Sequence, residues 1–424
     1  MRALHVLTDT GIGGAGRLLE GYVRASANRA EHIDSAGCAN RNGLTGDNRR
    51  ADRIETVVAV PRGAAIARAI EAAGARVVEV DGARENSADA SSLRAYISLI
   101  RSLRPAAVVT HASAAAAVAA AICGVKRRIL VRHCDGGGEG GPTARIYYRA
   151  VPTDFIATSS GARDALVRLG APERRIAVIE NGSERLIRVP GRRGAVRASL
   201  GVGAGDFLYL YCGRLESVKG CGALLDAFAL AAKQNGALRL AVVGGGSLDR
   251  ALREQAVSLG IADKVAFTGF ADDVSPFYDA ADAVVLASVS ETTPLSLSQG
   301  MSLGLPAAAF AVGGVPSMLG YDADDIGTAG VGGENAVGAV TGPDNASDIN
   351  SAADVNRTAG LLAEPGDITA LAAAMVRLCA DRELYRSASK AAALRYESHY
   401  NIAVMAACWD DVVANGAQIV RQHP

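Results

Sequence analysis

The sequence predicts an α/β protein made of two Rossmann-like, doubly wound domains facing each other. Three observations lead there. Strand-like apolar runs alternate with helical runs almost from end to end, the pattern of a parallel sheet covered by helices. Glycine-rich turns follow several of those strands, where open α/β sheets bind ligands. A chain of 424 residues also exceeds one ordinary core, so two domains of roughly 200 residues each are expected.

In chain order, Ala3 to Leu7 reads as the first strand, ending in Gly11-Ile12-Gly13-Gly14-Ala15-Gly16. Small residues there let backbone N–H groups approach a phosphate at a helix N-terminus. The second strand, Glu55 to Val60, ends in Pro61-Arg62 rather than an acidic residue, which argues against a dinucleotide site and leaves a phosphate-proximal loop. Residues 28–53 between them are polar, without a clear period. Strands follow at Arg76 to Val80, Ala106 to Thr110, Arg128 to Arg132, Asp154 to Thr158 and Ile176 to Ile179. Between them lie a helix from Leu93 to Leu103 and an alanine-rich helix at 112–122. Leu93, Tyr96, Ile100 and Leu103 form a stripe at steps of three and four, read as core packing with arginines solvated beside it.

Residues 183–203 carry Pro190, arginines and glycines without a sustained period and read as an interdomain linker. The alternation restarts at Phe207 to Cys212. Helix Cys221 to Gln234, strands Leu238 to Val243, Val265 to Thr268, Ala283 to Ala287 and Ala307 to Ala311, and helices Ile368 to Cys379, Glu383 to Tyr396 and Ala403 to Asn415 follow. The expected domains are 1–190, then 191–395 with an insertion at about 320–357, then a terminal helix over 396–424.

Composition narrows the class. A hydrophobic share of 49% with 21% charged residues is that of a soluble globular enzyme. No run reaches the roughly 18 apolar residues of a spanning helix and the N-terminus lacks a signal-peptide pattern, so a cytoplasmic location is expected. Seven cysteines without a C-x-x-C pair argue against a disulfide framework and a zinc site. The zero net charge is asymmetric: residues 1–190 carry 27 Lys or Arg against 19 Asp or Glu, a net of +8, and the remainder −8. A basic half suits an anionic acceptor or an anionic membrane surface, and equally an arginine-rich coding bias with salt-bridged surfaces, with no nucleic acid expected.

Several residues stand where chemistry is expected. Glu291 falls just past a strand, with Gln299 about two helical turns on, both taken to face one crevice. Arg214 and Lys219 share the loop opened by Gly213, so a planar fork and a point charge can converge on a diphosphate. His111 and His133 sit at strand ends, and His133 precedes a glycine-rich loop. Such a histidine can donate to a sugar hydroxyl or move a proton near neutral pH.

The order Gly13-Gly14-Ala15-Gly16, Asn181-Gly182, Gly213-Arg214-Leu215 with Lys219-Gly220, Gly244-Gly245-Gly246, Glu291-x7-Gln299, Gly304-Leu305-Pro306 and Gly313-Gly314-Val315-Pro316 resembles glycosyltransferase family 4. The late Gly360-Leu361-Leu362-Ala363-Glu364-Pro365-Gly366-Asp367 fits the same pattern. The resemblance implies the two-domain GT-B fold and a retaining, metal-independent transfer of a sugar, a hexosyl group foremost, from a nucleotide-diphosphate donor. No cofactor or metal is implied. It assigns the donor to the C-terminal domain and a glycan, lipid or small-molecule acceptor to the N-terminal one, in polysaccharide or glycolipid biosynthesis. It makes Arg214 and Lys219 holders of the diphosphate, Glu291 a contact to the donor sugar and His133 the histidine near the reacting sugar. Gly13, Gly14, Gly213, Gly244, Gly269, Thr293, Pro294, Leu295, Ser296 and Gln299 complete the donor site. The terminal helix is implied to return to the N-terminal domain.

Two departures qualify this. Gln299 stands where the family has a second glutamate, though its carbonyl can still accept ribose hydroxyls. Residues 320–356 carry seven acidic side chains and no Lys or Arg, and Asp322-Ala323-Asp324 within them reads as a solvated loop rather than a metal site. The alternatives are a nucleotide-sugar 2-epimerase, for which the N-terminal half offers few strand-end carboxylates, and a non-catalytic sugar-nucleotide-binding module.

Overall fold

The computed structural model describes residues 1–8, 13–33 (backbone only at 29–33), 54–81, 90–111, 113–134, 141–321 and 358–417. Gly11, Ile12, most of the polar stretch 28–53, the glycines at 136–140 and the acidic insertion with Asp322 and Asp324 lie outside the described residues. The chain divides into two compact units, Met1–Ser183 with Ile402–Pro424, and Glu184–Asn401.

The first unit is a parallel sheet of β1 (Arg2–Leu7), β2 (Glu55–Pro61), β3 (Arg76–Val80), β4 (Ala107–His111), β5 (Arg127–Arg132), β6 (Asp154–Ala157) and β7 (Ile176–Val178), in the order β3-β2-β1-β4-β5-β6-β7. β1 and β4 are buried on both faces, which is why they read as continuous apolar runs rather than alternating ones. The helices are α1 (Gly14–Ile33), α2 (Ala67–Ala72), α3 (Ala90–Leu103), α4 (Ala114–Ile122), α5 (Pro142–Ala150) and α6 (Ser160–Arg168). α1 extends into the stretch that reads as loop from residue 28. α3 buries Tyr96, Ile100 and Leu103 as its stripe requires, and the Ser113 hydroxyl caps α4 by accepting the Ala116 N–H at 3.2 Å.

The last helix, Ile402–Asn415 (α15 in chain order), belongs to this unit and packs on α1. Trp409 lies 5.3 Å from the Tyr22 ring, and the Tyr22 hydroxyl donates to Asp410 at 2.7 Å. Its end is fastened by Arg127 donating to the Ala414 carbonyl and by the Ala417 N–H donating to Asp154.

The second unit opens with α7 (Arg192–Ser199), inside the stretch that reads as a linker. Its sequence is polar because its partners are: Arg192 and Arg193 donate to Asp279 and Asp282 at 2.9 and 2.6 Å, and the buried Arg197 reaches Asp282 at 2.9 Å. A helix held by ion pairs leaves little apolar period to read. The parallel sheet that follows has β8 (Phe207–Cys212), β9 (Leu238–Val243), β10 (Val265–Gly269), β11 (Ala283–Leu286), β12 (Ala307–Phe310) and β13 (Gly360–Ala363), in the order β10-β9-β8-β11-β12-β13. Around it lie α8 (Cys221–Gln234), α9 (Asp249–Ser258), α10 (Ser275–Ala280), α11 (Leu295–Ser302), α12 (Val315–Leu319), α13 (Ile368–Ala380) and α14 (Arg382–Arg395). Two doubly wound sheets match the predicted fold class.

Candidate functional site

In the second unit β8 and β11 are neighbours although β9 and β10 intervene in the chain. Successive connections leave this point in opposite directions, which opens a crevice past the strand C-termini. Loops from four strands are tied together there by backbone bonds. The Gly213 N–H donates to Val243, Leu215 to Gly245, Gly244 to Gly269 and Val289 to Val218, all at 2.9–3.0 Å. The Glu216 carboxylate accepts the Ser247 N–H and hydroxyl at 3.0 and 2.7 Å, which holds its pKa below the usual carboxylate range.

Two glycines make this convergence possible. Gly244 has φ +142°, and a Cβ there would lie 1.9 Å from the Gly213 carbonyl oxygen. At Gly220, φ +62°, a Cβ would lie 1.8 Å from the Ala287 oxygen. Only glycine lets these backbones approach so closely.

Across the crevice, Lys219 from the loop after β8 donates to Glu291 from the loop after β11 at 2.7 Å. Glu291 is only 9% exposed and also accepts the Ser288 hydroxyl at 2.8 Å. Its backbone oxygen accepts the Gly314 N–H at 3.3 Å, so the loop after β12 joins the cluster. Arg214 is exposed, with no side-chain hydrogen bond or ion pair among the described residues, and its backbone oxygen is held by the Tyr211 hydroxyl at 2.8 Å. The arrangement presents one open guanidinium and one partly committed ammonium at a loop cluster rich in backbone amides, which suits a multiply charged anion.

The expected helical span from Glu291 to Gln299 does not form. Pro294 stands at the N-cap and α11 begins at Leu295, so Glu291 lies in the loop and turns to Lys219. Thr293 and Pro294 are buried, while Leu295, Ser296 and Gln299 are partly exposed on the first two turns of α11.

In the first unit, Gly13 and Gly14 open α1, and a Cβ at Gly14 would meet nothing within 4 Å. At the C-terminal ends of β4 and β5, His111 Nδ1 lies 3.0 Å from His133 Nε2, and His111 Nε2 lies 3.4 Å from His5 Nδ1. His5 and His111 are 0% and 2% exposed. Burial lowers the pKa of His5 to about 3, of His133 to about 4, and of His111 well below the ordinary value.

The sign of the consequence follows directly. The fold keeps these rings neutral, whereas an unfolded histidine takes a proton below about pH 6.5. The associated stability is therefore complete above that pH and is lost on acidification toward pH 4, by about 1.4 kcal/mol per pH unit for each ring that stays neutral. Denaturant melts followed by the single tryptophan, Trp409, should show a midpoint that falls between pH 7.5 and 5. His5→Phe should flatten that slope.

Two family models match the chain, "Glycosyltransferase Family 4" over residues 49–184 and "Glycosyl transferases group 1" over residues 206–330. Together they cover more than half of the 424 residues. The chain belongs to glycosyltransferase family 4.

Among its relatives in that family, the D-inositol 3-phosphate glycosyltransferase of Mycobacteroides abscessus is 33% identical over 170 residues, 38% of each chain. That of Rhodococcus opacus is 36% identical over 171 residues, again 38% of each chain. The match thus spans well under half the length of these curated relatives. Anabaena HepE, solved in complex with UDP, has the same fold, with a TM-score of 0.72 at 18% identity over 98% of this chain and 100% of its own. The family's GT-B fold, a pair of parallel α/β sheets, is the architecture expected from the sequence.

The sequence located Glu291, Lys219, Arg214, Gly213, Gly244 and Gly269 on one strand-end cluster of the second unit, and Gly13, Gly14 and His133 in the first. It missed Ser288, whose placement three residues before Glu291 was a readable signal, the Glu216–Ser247 clamp, and His5. A cavity lined by Arg188, Tyr385, Arg386 and Lys390 shares no residue with the strand-end loops. No helix among the described residues is long and apolar enough to cross a membrane, and no cluster there has the side chains to hold a metal ion.

Proposed function

We propose that the chain transfers a sugar from a nucleotide-diphosphate donor, with retention of anomeric configuration and without a bound metal, to a glycan, lipid-linked or small phosphorylated acceptor. The observation that carries this reading is the Lys219–Glu291 pair spanning the β8/β11 crevice beside the open Arg214. The bond to the leaving diphosphate breaks as negative charge grows on its oxygens, and preorganised cations and amides stabilise that charge more in the transition state than before it. Arg214 and Lys219 supply the cations that a metal supplies elsewhere. Glu291, fixed by Lys219 and Ser288, offers a carboxylate to the donor sugar's hydroxyls. The Gly13-Gly14 turn offers amides and His133 a ring nitrogen in the first unit.

The likeness to HepE, solved in complex with UDP, puts UDP-sugars first among the donors to test. The inositol phosphate named for the curated relatives and the basic N-terminal half both favour an anionic acceptor, a phosphorylated polyol or the surface of an anionic membrane. Thermal melts with UDP-, GDP- and ADP-sugars test the reading. One of the three should stabilise the protein by about 2.7 kcal/mol at a hundred times its dissociation constant. A flat response to all three would contradict it.

A further inference from the structure

The two hydrogen-bond donors on Glu291 meet the same atom. Lys219 Nζ donates to Oε1 at 2.7 Å and the Ser288 hydroxyl donates to Oε1 at 2.8 Å, while Oε2 accepts no hydrogen bond among the described residues. The two donors differ in what else they can reach. Lys219 is 23% exposed on the loop after β8, where its ammonium also has the diphosphate to serve in the proposed transfer. Ser288 is 1% exposed and stands two residues past the end of β11. The backbone on both sides of it is braced. The Ala287 oxygen sits within 1.8 Å of where a Gly220 Cβ would lie, and the Val289 N–H donates to Val218 at 2.9 Å. Glu291 itself lies further out, in the loop that leads to α11.

We infer that Ser288 is a positioning residue for the transfer: its hydroxyl ties Glu291 Oε1 to the braced end of β11, leaving Oε2 as the oxygen open to the donor sugar. Lys219 alone would hold the carboxylate poorly at the moment it is needed. Its ammonium rides on a flexible four-carbon stem, and the arriving diphosphate, with more than one negative charge, competes for the same N–H groups. A serine side chain turns about one bond from a backbone that the neighbouring loop already fixes, so its grip survives that competition. The bond is charge-assisted, and therefore stronger than one between neutral partners. A hydroxyl has a single proton, and that of Ser288 is spent on Glu291. Ser288 thus acts through the carboxylate and not on the sugar. Lys219 is the exchangeable half of the clamp and Ser288 the permanent half.

This role rests on the proposed transfer, and the test separates the two. Full-length wild type, Ser288→Ala, Ser288→Thr, Glu291→Ala and the Ser288→Ala/Glu291→Ala double variant are assayed for nucleotide release from UDP-, GDP- and ADP-glucose, with binding of the matching free nucleotide measured by calorimetry. Ser288→Ala should lower kcat on the order of tenfold, the worth of one hydrogen bond to a charged group. Its affinity for the free nucleotide should stay within about twofold of wild type, because that ligand lacks the sugar that Glu291 contacts. Ser288→Thr keeps the hydroxyl and should recover most of the rate. In the Glu291→Ala background, removing the hydroxyl should cost less than about twofold, since nothing is left for it to position. A serine that served the fold alone would lower the rate in both backgrounds and weaken the nucleotide too, because the same strand end braces Val218 and Gly220. Undiminished kcat in Ser288→Ala, an equal loss in both backgrounds, or a parallel loss of nucleotide affinity overturns the inference while the proposed function stands. No release from any of the three donors by the wild type removes the proposed function, and the assigned role with it.

Discussion

Replacing Glu291 by alanine is expected to lower sugar transfer by about a hundred- to a thousandfold, about 2.7–4 kcal/mol in the barrier. The carboxylate is 9% exposed, accepts from Lys219 at 2.7 Å and from Ser288 at 2.8 Å, and is therefore held before any donor arrives. A preorganised group makes its contact without reorganisation during the reaction. The same substitution should leave the fold nearly as stable, because Lys219 remains 23% exposed and can turn its ammonium to water. Lys219→Ala differs in kind, since it leaves a nearly buried carboxylate without its cation. Rates and melts measured on both variants separate the roles. Unchanged transfer in Glu291→Ala would reduce the residue to a loop brace.

The second large effect is structural. Gly244→Ala should destabilise the protein by at least about 3 kcal/mol, since it combines a strained φ with a steric conflict that neither backbone can relieve locally. The Cβ would fall 1.9 Å from the Gly213 oxygen, in the turn that brings the loops after β8 and β9 together. Relief requires Gly213 and Gly244 to separate, which breaks the Gly244 to Gly269 bond and displaces Arg214. Gly236→Ala is the control: a Cβ there meets nothing within 4 Å, and its melting midpoint should move little. Equal midpoints for the two variants would mean that the loop cluster yields more readily than its geometry implies.

Much of this site was legible because a parallel sheet places its loops by rule. Strands such as Phe207 to Cys212 and Leu238 to Val243 announce themselves as apolar runs, and the glycines that follow them mark where backbones must approach. Knowing those ends, the sequence already placed Glu291, Arg214 and Lys219 past strand C-termini. Other features depend on partners far along the chain. α7 is invisible as a helix without Asp279 and Asp282, which neutralise its arginines. The turn of Glu291 away from Gln299 follows from Pro294, whose missing N–H and restriction of the residue before it end any helix reaching backward. His5 was hidden for a different reason. A strand buried on both faces shows no alternation, so a polar residue in it gives no hint of which face it occupies until strand order and register are known.

The most direct measurement is nucleotide release by the purified full-length wild type with UDP-glucose, followed by the anomeric configuration of the product, with Arg214→Ala assayed beside it. The expected result is saturable release of UDP, a product that keeps the donor's configuration, and a donor KM raised about tenfold or more when the open guanidinium is removed. Inverted product, or release that is indifferent to Arg214, would contradict the assignment of the β8/β11 crevice as the diphosphate site.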